Sequence, residues 1–439
     1  MSSSRTITPE RVIPAAELAT LPEDALLDEV QRATLSFFWE GSHPVSHLAA
    51  DRRTRADLTG APQANGGPMV VGGTGFGVMA VLVAAERGWV SREAALAQVD
   101  AVVATFWRAP CYHGAWPHFM EGATGATLPF SRKDDGGDLV ETSYLVMGLL
   151  CARAYFNGDT ALERRLRERI TVLWEEIEWN WYTRDGRTVL HWHWSPNNGW
   201  ALDHEIRGWN ECLITYVLAA AAPRYTIAPQ VYHKGYAAGR EFLNGRPYQG
   251  IELPLGPQGG GPLFFAHYSF LGIDPRGLRD KYANYWEQNV RHAQVNRAHC
   301  IANPHGHSGY GPDCWGLTAC DGPDGYAAHD PEHDTGTIAP TAALSSYPYV
   351  PQAALATLRH LLTVHGERLW TRWGFVDAFN EGRGWVADSF IAIDQAPIVV
   401  MIENHRSALL WRLFMNVPEV QTGLARLGFV SPWLDGKAP

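Results

Sequence analysis

The sequence predicts an all-α protein, an (α/α)6 barrel with long loops on one face building a pocket, and three observations predict it. Segments with helical periodicity far outnumber strand-like ones; several helices are apolar nearly all the way round while others are amphipathic and charged; and two connections, 183–205 and 303–340, are much longer than a plain helix link. An inner ring of enclosed helices inside an outer ring of amphipathic ones satisfies the first two. Loops gathered at the ends of the inner helices satisfy the third.

About a dozen helical segments carry the pattern, over approximately 24–40, 75–88, 91–108, 138–156, 159–182, 206–222, 228–240, 264–272, 278–302, 340–347, 351–370 and 388–415. Ser91 with Glu93 marks the start of the third, and Asp159 opens the fifth after Asn157-Gly158. From Asp138 the residues Leu139, Leu145, Met147, Leu149, Leu150 and Ala154 leave almost no polar face, so that helix belongs in the interior. Segments 206–222 and 390–402 share this character. Residues 1–22 read as a flexible tail and 23–439 as one domain.

The chain has 439 residues, 46% hydrophobic and 19% charged, with 46 acidic against 36 basic side chains and a net charge of -10. That balance supports a large core and leaves no basic stripe for nucleic acid or an anionic membrane. No apolar run is long enough to span a bilayer, and the polar first 22 residues read as cytoplasmic, although removal of a secretion signal would leave the same sequence with a periplasmic or secreted protein. The six cysteines show no CxxC pair and read as reduced thiols. Eighteen Trp, 16 Tyr and 16 Phe, many beside Gly, Asn, Asp or His, suit stacking on sugar rings as well as core packing.

Three acidic constellations carry chemistry. In Lys133-Asp134-Asp135-Gly136-Gly137-Asp138-Leu139-Val140-Glu141-Thr142, Asp138 and Glu141 share one side of a first helical turn, where the helix dipole favours negative charge. A capping box accounts for the same spacing; the preceding Gly-Gly favours a site. In Arg207-Gly208-Trp209-Asn210-Glu211-Cys212, within an apolar helix, a Glu211 desolvated beside Trp209 becomes a general acid, unless Arg207 neutralises it. In the third, Asp394 and Glu403 fall in apolar surroundings, and Arg406 is the preferred partner of Glu403. The histidines of His191-Trp192-His193-Trp194 and His305-Gly306-His307 lack a third ligand at diagnostic spacing, so no metal is expected. Gly73-Thr74-Gly75-Phe76-Gly77 lacks the dinucleotide spacing, and with no Walker or GxSxG motif no cofactor is expected.

Together these residues resemble glycoside hydrolase family 144, bacterial β-1,2-glucanases often labelled glucoamylase-like. The resemblance runs from Leu35-Ser36-Phe37-Phe38-Trp39 onward. It rests on Gly136 to Thr142, His193-Trp194-Ser195-Pro196, Ile206 to Tyr216, Phe265 to Gly272, Cys314-Trp315-Gly316-Leu317-Thr318-Ala319 and Ala392-Ile393-Asp394-Gln395-Ala396-Pro397 with Ile402-Glu403-Asn404. It implies inverting hydrolysis of β-1,2-glucan to sophorooligosaccharides, with Glu211 as general acid and Asp134, Asp138 and Glu141 as an acidic cluster important for activity. For the base it implies Asp138 first and Asp394 second, since relatives can activate water through a relay. Trp209, where Tyr is common, and Ala396, where Gly is common, depart from the family pattern. The candidates for sugar platforms are Trp192, Trp194, Trp209, Tyr268, Trp315 and Tyr347, with Arg207, Asn210, His267 and His307 as polar contacts. Rival readings are an exo-acting sophorohydrolase, a transglycosylase with carboxyls only about 5 Å apart, and a sugar-binding protein with an inactive site.

Overall fold

A computed structural model describes residues 13–59 and 67–437. Fourteen α-helices are found among them: α1 Ala15–Leu18, α2 Glu23–Trp39, α3 Val71–Glu86, α4 Arg92–Phe106, α5 Leu139–Tyr155, α6 Ala161–Glu175, α7 Leu213–Ala221, α8 Tyr285–Ala302, α9 Pro340–Leu344, α10 Pro351–Val364, α11 Gly366–Leu369, α12 Ala392–Ser407, α13 Leu409–Met415 and α14 Pro418–Arg426. Strands are few and short, the longest pair being the antiparallel hairpin Leu243–Tyr248 with Ile251–Leu255. Helix dominates, as the periodicity predicts.

The division into enclosed and amphipathic helices is observed. Every residue of α7 and α9, all of α3 from Val71 to Ala84 and all of α5 from Leu139 to Ala152 are buried, whereas α6 buries only Glu163, Leu166, Ile170 and Trp174. α3 packs on α5 and α12, α5 on α7, α7 on the 3-10 turn Tyr268–Leu271, that turn on α12, and α12 on α9. One connected apolar core runs from Leu18 to Trp433.

Glycine sets the closest of these contacts. A Cβ on Gly75 would fall on the backbone of Tyr144 and Leu145, and one on Gly148 would fall on the Gly75 carbonyl, so the two helices meet backbone to backbone. The glycine run of α3 is therefore packing. Gly148→Ala is expected to lower stability by about 1 to 3 kcal/mol through overpacking, read from the urea unfolding midpoint.

Local signals explain the differences from the expected boundaries. Segment 228–240 holds only a π-helical stretch, Val231–Tyr236, and 264–272 is two 3-10 turns, Leu263–Ala266 and Tyr268–Leu271. Thr160, not Asp159, caps α6 by accepting from the Glu163 N–H at 3.2 Å. The described part of the expected tail is packed: Leu18 is buried, and Arg359 donates to the carbonyls of Ala19 and Leu21. Residues 1–12 lie outside the described residues.

Candidate active site

Short extended pieces deliver the chain to the amino-terminal ends of the enclosed helices. Met69–Val70 leads into α3, Gly137–Asp138 into α5, Thr337–Ile338 into α9 and Ser389–Ile391 into α12. Cross-links gather three of these ends: Val70 N–H donates to Ala49 O, Ala392 N–H to Asp51 O, and Gly72 N–H to Glu141 Oε2 at 2.6 Å. A Cβ on Gly72 would stand 2.6 Å from that carboxylate oxygen, so only glycine admits the contact. Acids at such ends gain from the helix dipole and from N–H groups without helical partners.

Asp138 caps α5. Its Oδ1 accepts from Val140 N–H and Glu141 N–H, both at 2.9 Å, and its Oδ2 lies 3.0 Å from His118 Nδ1 and accepts from Trp192 Nε1 at 3.1 Å. The capping reading of the sequence motif is thus realised by Asp138, while Glu141 reaches across to α3 instead of back to its own cap. Pairing of Gly137–Asp138 with His193–Trp194 brings Trp192 and Trp194 to this corner. Asp134 sits 3.2 Å from His193 Nε2.

These groups control one another's protons. For His118 burial opposes the charge, but Glu141, Asp138 and Asp134 outweigh it and lift the imidazole to about 9. Burial raises Glu141 to about 7 against the pull of His118, and burial with the neighbouring Asp138 raises Asp134 to about 6.

Glu211 lies in a turn and not in a helix, because α7 begins only at Leu213. Gly208 has φ +80° and presses so close to the Arg240 carbonyl that a Cβ would stand 2.6 Å from it, and Asn210 Oδ1 takes the Cys212 N–H at 3.0 Å. Both features oppose helical geometry. Nor does Arg207 neutralise Glu211: it is exposed and donates to Glu205 at 2.5 Å. Without a charge partner, burial alone pushes the Glu211 carboxyl up to about 7.

Two tyrosines sit in the fields of both Glu211 and the other acids. The Tyr144 phenol is raised by burial and then by the charges of Glu211, Cys212 and Glu141; that of Tyr268 is raised by burial and then by Asp394, Tyr326 and Glu211. Both hydroxyls are buried without a hydrogen-bond partner, and their rings meet edge to face at 5.8 Å. Asp394, in the first turn of α12, faces Asp377: burial and then the Asp377 carboxyl raise Asp394 well above the carboxylate range, while burial and Asp321 raise Asp377 to about 7 against the opposing pull of Asp394. Asp377 also accepts the Asp321 N–H at 2.7 Å, and Asp321 is held by Arg52 and Ser389.

The structure thus brings together Asp134, Asp138, Glu141, Trp192 and Trp194 in one group and Glu211, Tyr268 and Asp394 in an adjoining one. The other sequence candidates lie elsewhere. Trp209 and Trp315 are core; His267 is buried against Ser346 Oγ at 2.9 Å; Tyr347 donates to Glu23 at 2.6 Å; and His307 stands 3.5 Å from Asp334 in a loop cluster with His299 and Tyr310. Asn210 spends its side chain on the turn before α7. Glu403 is bound by Arg87 at 2.8 and 3.1 Å, not by Arg406, which turns to Asp28 and Gln31. Sequence reasoning missed His118, Tyr144, Asp377 and Tyr326. Tyr144, three residues after Glu141, shares its helix face, and Asp377 interrupts the apolar run 373–379 just as Asp394 interrupts its own. Because Arg207 is occupied at the surface, Arg207→Ala is expected to leave kcat/KM within about twofold of the parent, a shift of under ~0.5 kcal/mol in steady-state kinetics.

A helix-rich scaffold that gathers buried carboxyls and unpartnered tyrosines at converging helix ends has the parts for general acid–base chemistry. The Glycoamylase family model, described as "Putative glucoamylase", matches residues 203–418. The exo β-1,2-glucooligosaccharide sophorohydrolase (non-reducing end) of Parabacteroides distasonis is 43% identical over 428 residues, 93% of this chain and 58% of that protein. The chain therefore spans little more than half the length of this curated relative. An endo-β-1,2-glucanase from Chitinophaga pinensis, solved with sophorotriose and glucose, is 46% identical with a TM-score of 0.90, covering 94% of this chain and 100% of that one. The Talaromyces funiculosus endo-β-1,2-glucanase solved with sophorose shares the fold at 11% identity and a TM-score of 0.65, over 94% and 92% of the two chains. The chain belongs to the glucoamylase-like family of bacterial β-1,2-glucanases, glycoside hydrolase family 144.

Proposed function

We propose that this chain hydrolyses β-1,2-glucan to sophorooligosaccharides with inversion at the anomeric carbon, and that residues 23–439 form one (α/α)6 catalytic domain needing no cofactor. The observation that carries the reading is the placing of Tyr268, whose buried hydroxyl feels both Glu211 and Asp394. A carboxyl raised by burial near one helix start, and near another a pair of facing carboxyls of which one ionises before the other, around one unpartnered phenol, can supply an acid and a base on either side of a glycosidic bond. The contacts of α3, α5, α7, Tyr268–Leu271, α9 and α12 with one another support the inner ring of the barrel.

In this reading Glu211, titrating at about 7, donates its proton to the leaving oxygen as the bond to the anomeric carbon breaks. Water attacks the opposite face and its proton enters the Asp394–Asp377 pair through Asp377, the less raised member and so the first to ionise. Asp138, first choice for the base on sequence grounds, already accepts from four donors, which leaves no oxygen lone pair well placed for water. Its role is to hold His118 and Trp192; Trp192 and Trp194 then offer ring faces to sugars.

The experiment offers linear β-1,2-glucan beside laminarin, cellooligosaccharides and starch, and follows product size and anomeric form with time. Sophorooligosaccharides appearing first as the α-anomer are expected. Cleavage of starch alone refutes the substrate, and β-anomers at early times refute inversion.

A further inference from the structure

Away from the acids, Cys314, His360 and His365 each offer one ligand atom, and those atoms lie within 4.8 Å of one another. Cys314 closes the turn in which Gly311 and Cys314 exchange backbone hydrogen bonds, His360 projects from α10, and His365 caps the end of α10 where α11 begins. Glu381, in the turn after the strand Phe379–Asn380, puts Oε2 3.9 Å from His365 Nε2. His365 is 7% exposed, and its Nε2 is buried without a hydrogen-bond partner. A ring nitrogen enclosed in this way costs free energy unless it meets a donor or a cation. The cluster around His365 thus holds a sulfur and a second imidazole, with a carboxylate at its edge.

We infer that Cys314, His360, His365 and Glu381 form a structural site for a divalent transition metal, zinc being the ion their chemistry fits best. One thiolate, two imidazoles and one carboxylate are a borderline-soft set of four, which selects zinc over magnesium or calcium. Zinc bonds of about 2.3 Å to sulfur and about 2.1 Å to nitrogen set tetrahedral ligands about 3.6 Å apart, so the spacing of Cys314, His360 and His365 closes by roughly 1 Å of side-chain rotation, with Glu381 turning in from beside His365 as the fourth ligand. With four protein ligands the position is closed to substrate. The ion would tie three segments distant in sequence, the long 303–340 connection, the α10–α11 junction and the turn at Glu381, and so fix a loop that the fold otherwise holds through Asp334 and its histidines.

The test uses the full chain, stripped with a chelator and titrated with Zn²⁺ and separately with Co²⁺. One Zn²⁺ per chain is expected, with a raised melting temperature, and Co²⁺ should show the tetrahedral ligand-field bands and the thiolate-to-metal charge-transfer absorption that report sulfur ligation directly. Cys314→Ser and His365→Gln should weaken zinc binding by more than the roughly 100-fold that losing a supporting residue costs. Should either variant fold poorly, the Co²⁺ spectrum of the parent chain still decides, since no substitution is needed to see a thiolate ligand. Absence of stoichiometric Zn²⁺, a Co²⁺ spectrum without thiolate absorption, or equal binding by folded variants overturns the site.

Discussion

Glu211→Gln should lower kcat on linear β-1,2-glucan by about 10² to 10⁴-fold, the usual worth of a positioned general acid, with KM little changed. The amide reproduces the shape and the neutrality of a protonated carboxyl, so a residue held neutral by burial is replaced without a new buried charge and the melting temperature should stay where it is. What disappears is the transferable proton. A sophoroside with an acidic phenol as leaving group does not need that proton and should recover most of its rate in the variant, which a merely structural role for Glu211 would not produce. Hydrolysis of the glucan within tenfold of the parent by Glu211→Gln would remove it from the mechanism.

The same group sets a pH limb. An acid raised to about 7 carries its proton below that pH and loses it above, so kcat/KM should fall as pH rises through about 7. In Glu211→Gln the residual activity should lose this alkaline limb. His118, at about 9, stays charged throughout and adds no step in the neutral range.

Much of this site was legible because it obeys local rules. Asp138 and Glu141 are three residues apart at a helix start, and the dipole and the cap fix where they sit. The enclosed character of α5, α7 and α12 follows from apolar residues on every face. Other features were set by contacts between segments far apart in the chain. The turn at Glu211 exists because Gly208 meets the Arg240 carbonyl, a contact no window around residue 211 contains. Arg207 was assigned by its spacing to Glu211, yet the helix that the spacing assumes is absent, and the nearer carboxylate of Glu205 wins. Aromatic character alone could not separate Trp192, bound to Asp138, from Trp209 and Trp315, which are sealed in the core, because both kinds flank polar residues in sequence. His118 and Asp377 sit in short loops without periodicity, where only a finished fold shows what they face.

Asp138→Ala is expected to destabilise the protein by about 3 to 5 kcal/mol, the cost of leaving one member of a buried charge pair without its partner. The carboxylate is 1% exposed and both oxygens are in use. Removing it uncaps α5, which alone costs about 0.5 to 2 kcal/mol, and it leaves the His118 imidazolium facing Glu141 and Asp134 only. Asp138→Asn separates the two contributions. Its amide oxygen can still accept from Val140 and Glu141, so the cap survives, but its NH2 group then confronts the His118 and Trp192 N–H donors. Stability should fall to an intermediate level, and the His118 titration, followed by NMR, should move down from about 9 toward the ordinary histidine range as one of the charges lifting it is lost. Urea unfolding of the three proteins gives the stability order. Were Asp138 instead the water-activating base, Asp138→Asn would abolish turnover in protein that is still folded at the assay temperature, and the positioning role argued from its four hydrogen bonds would fail.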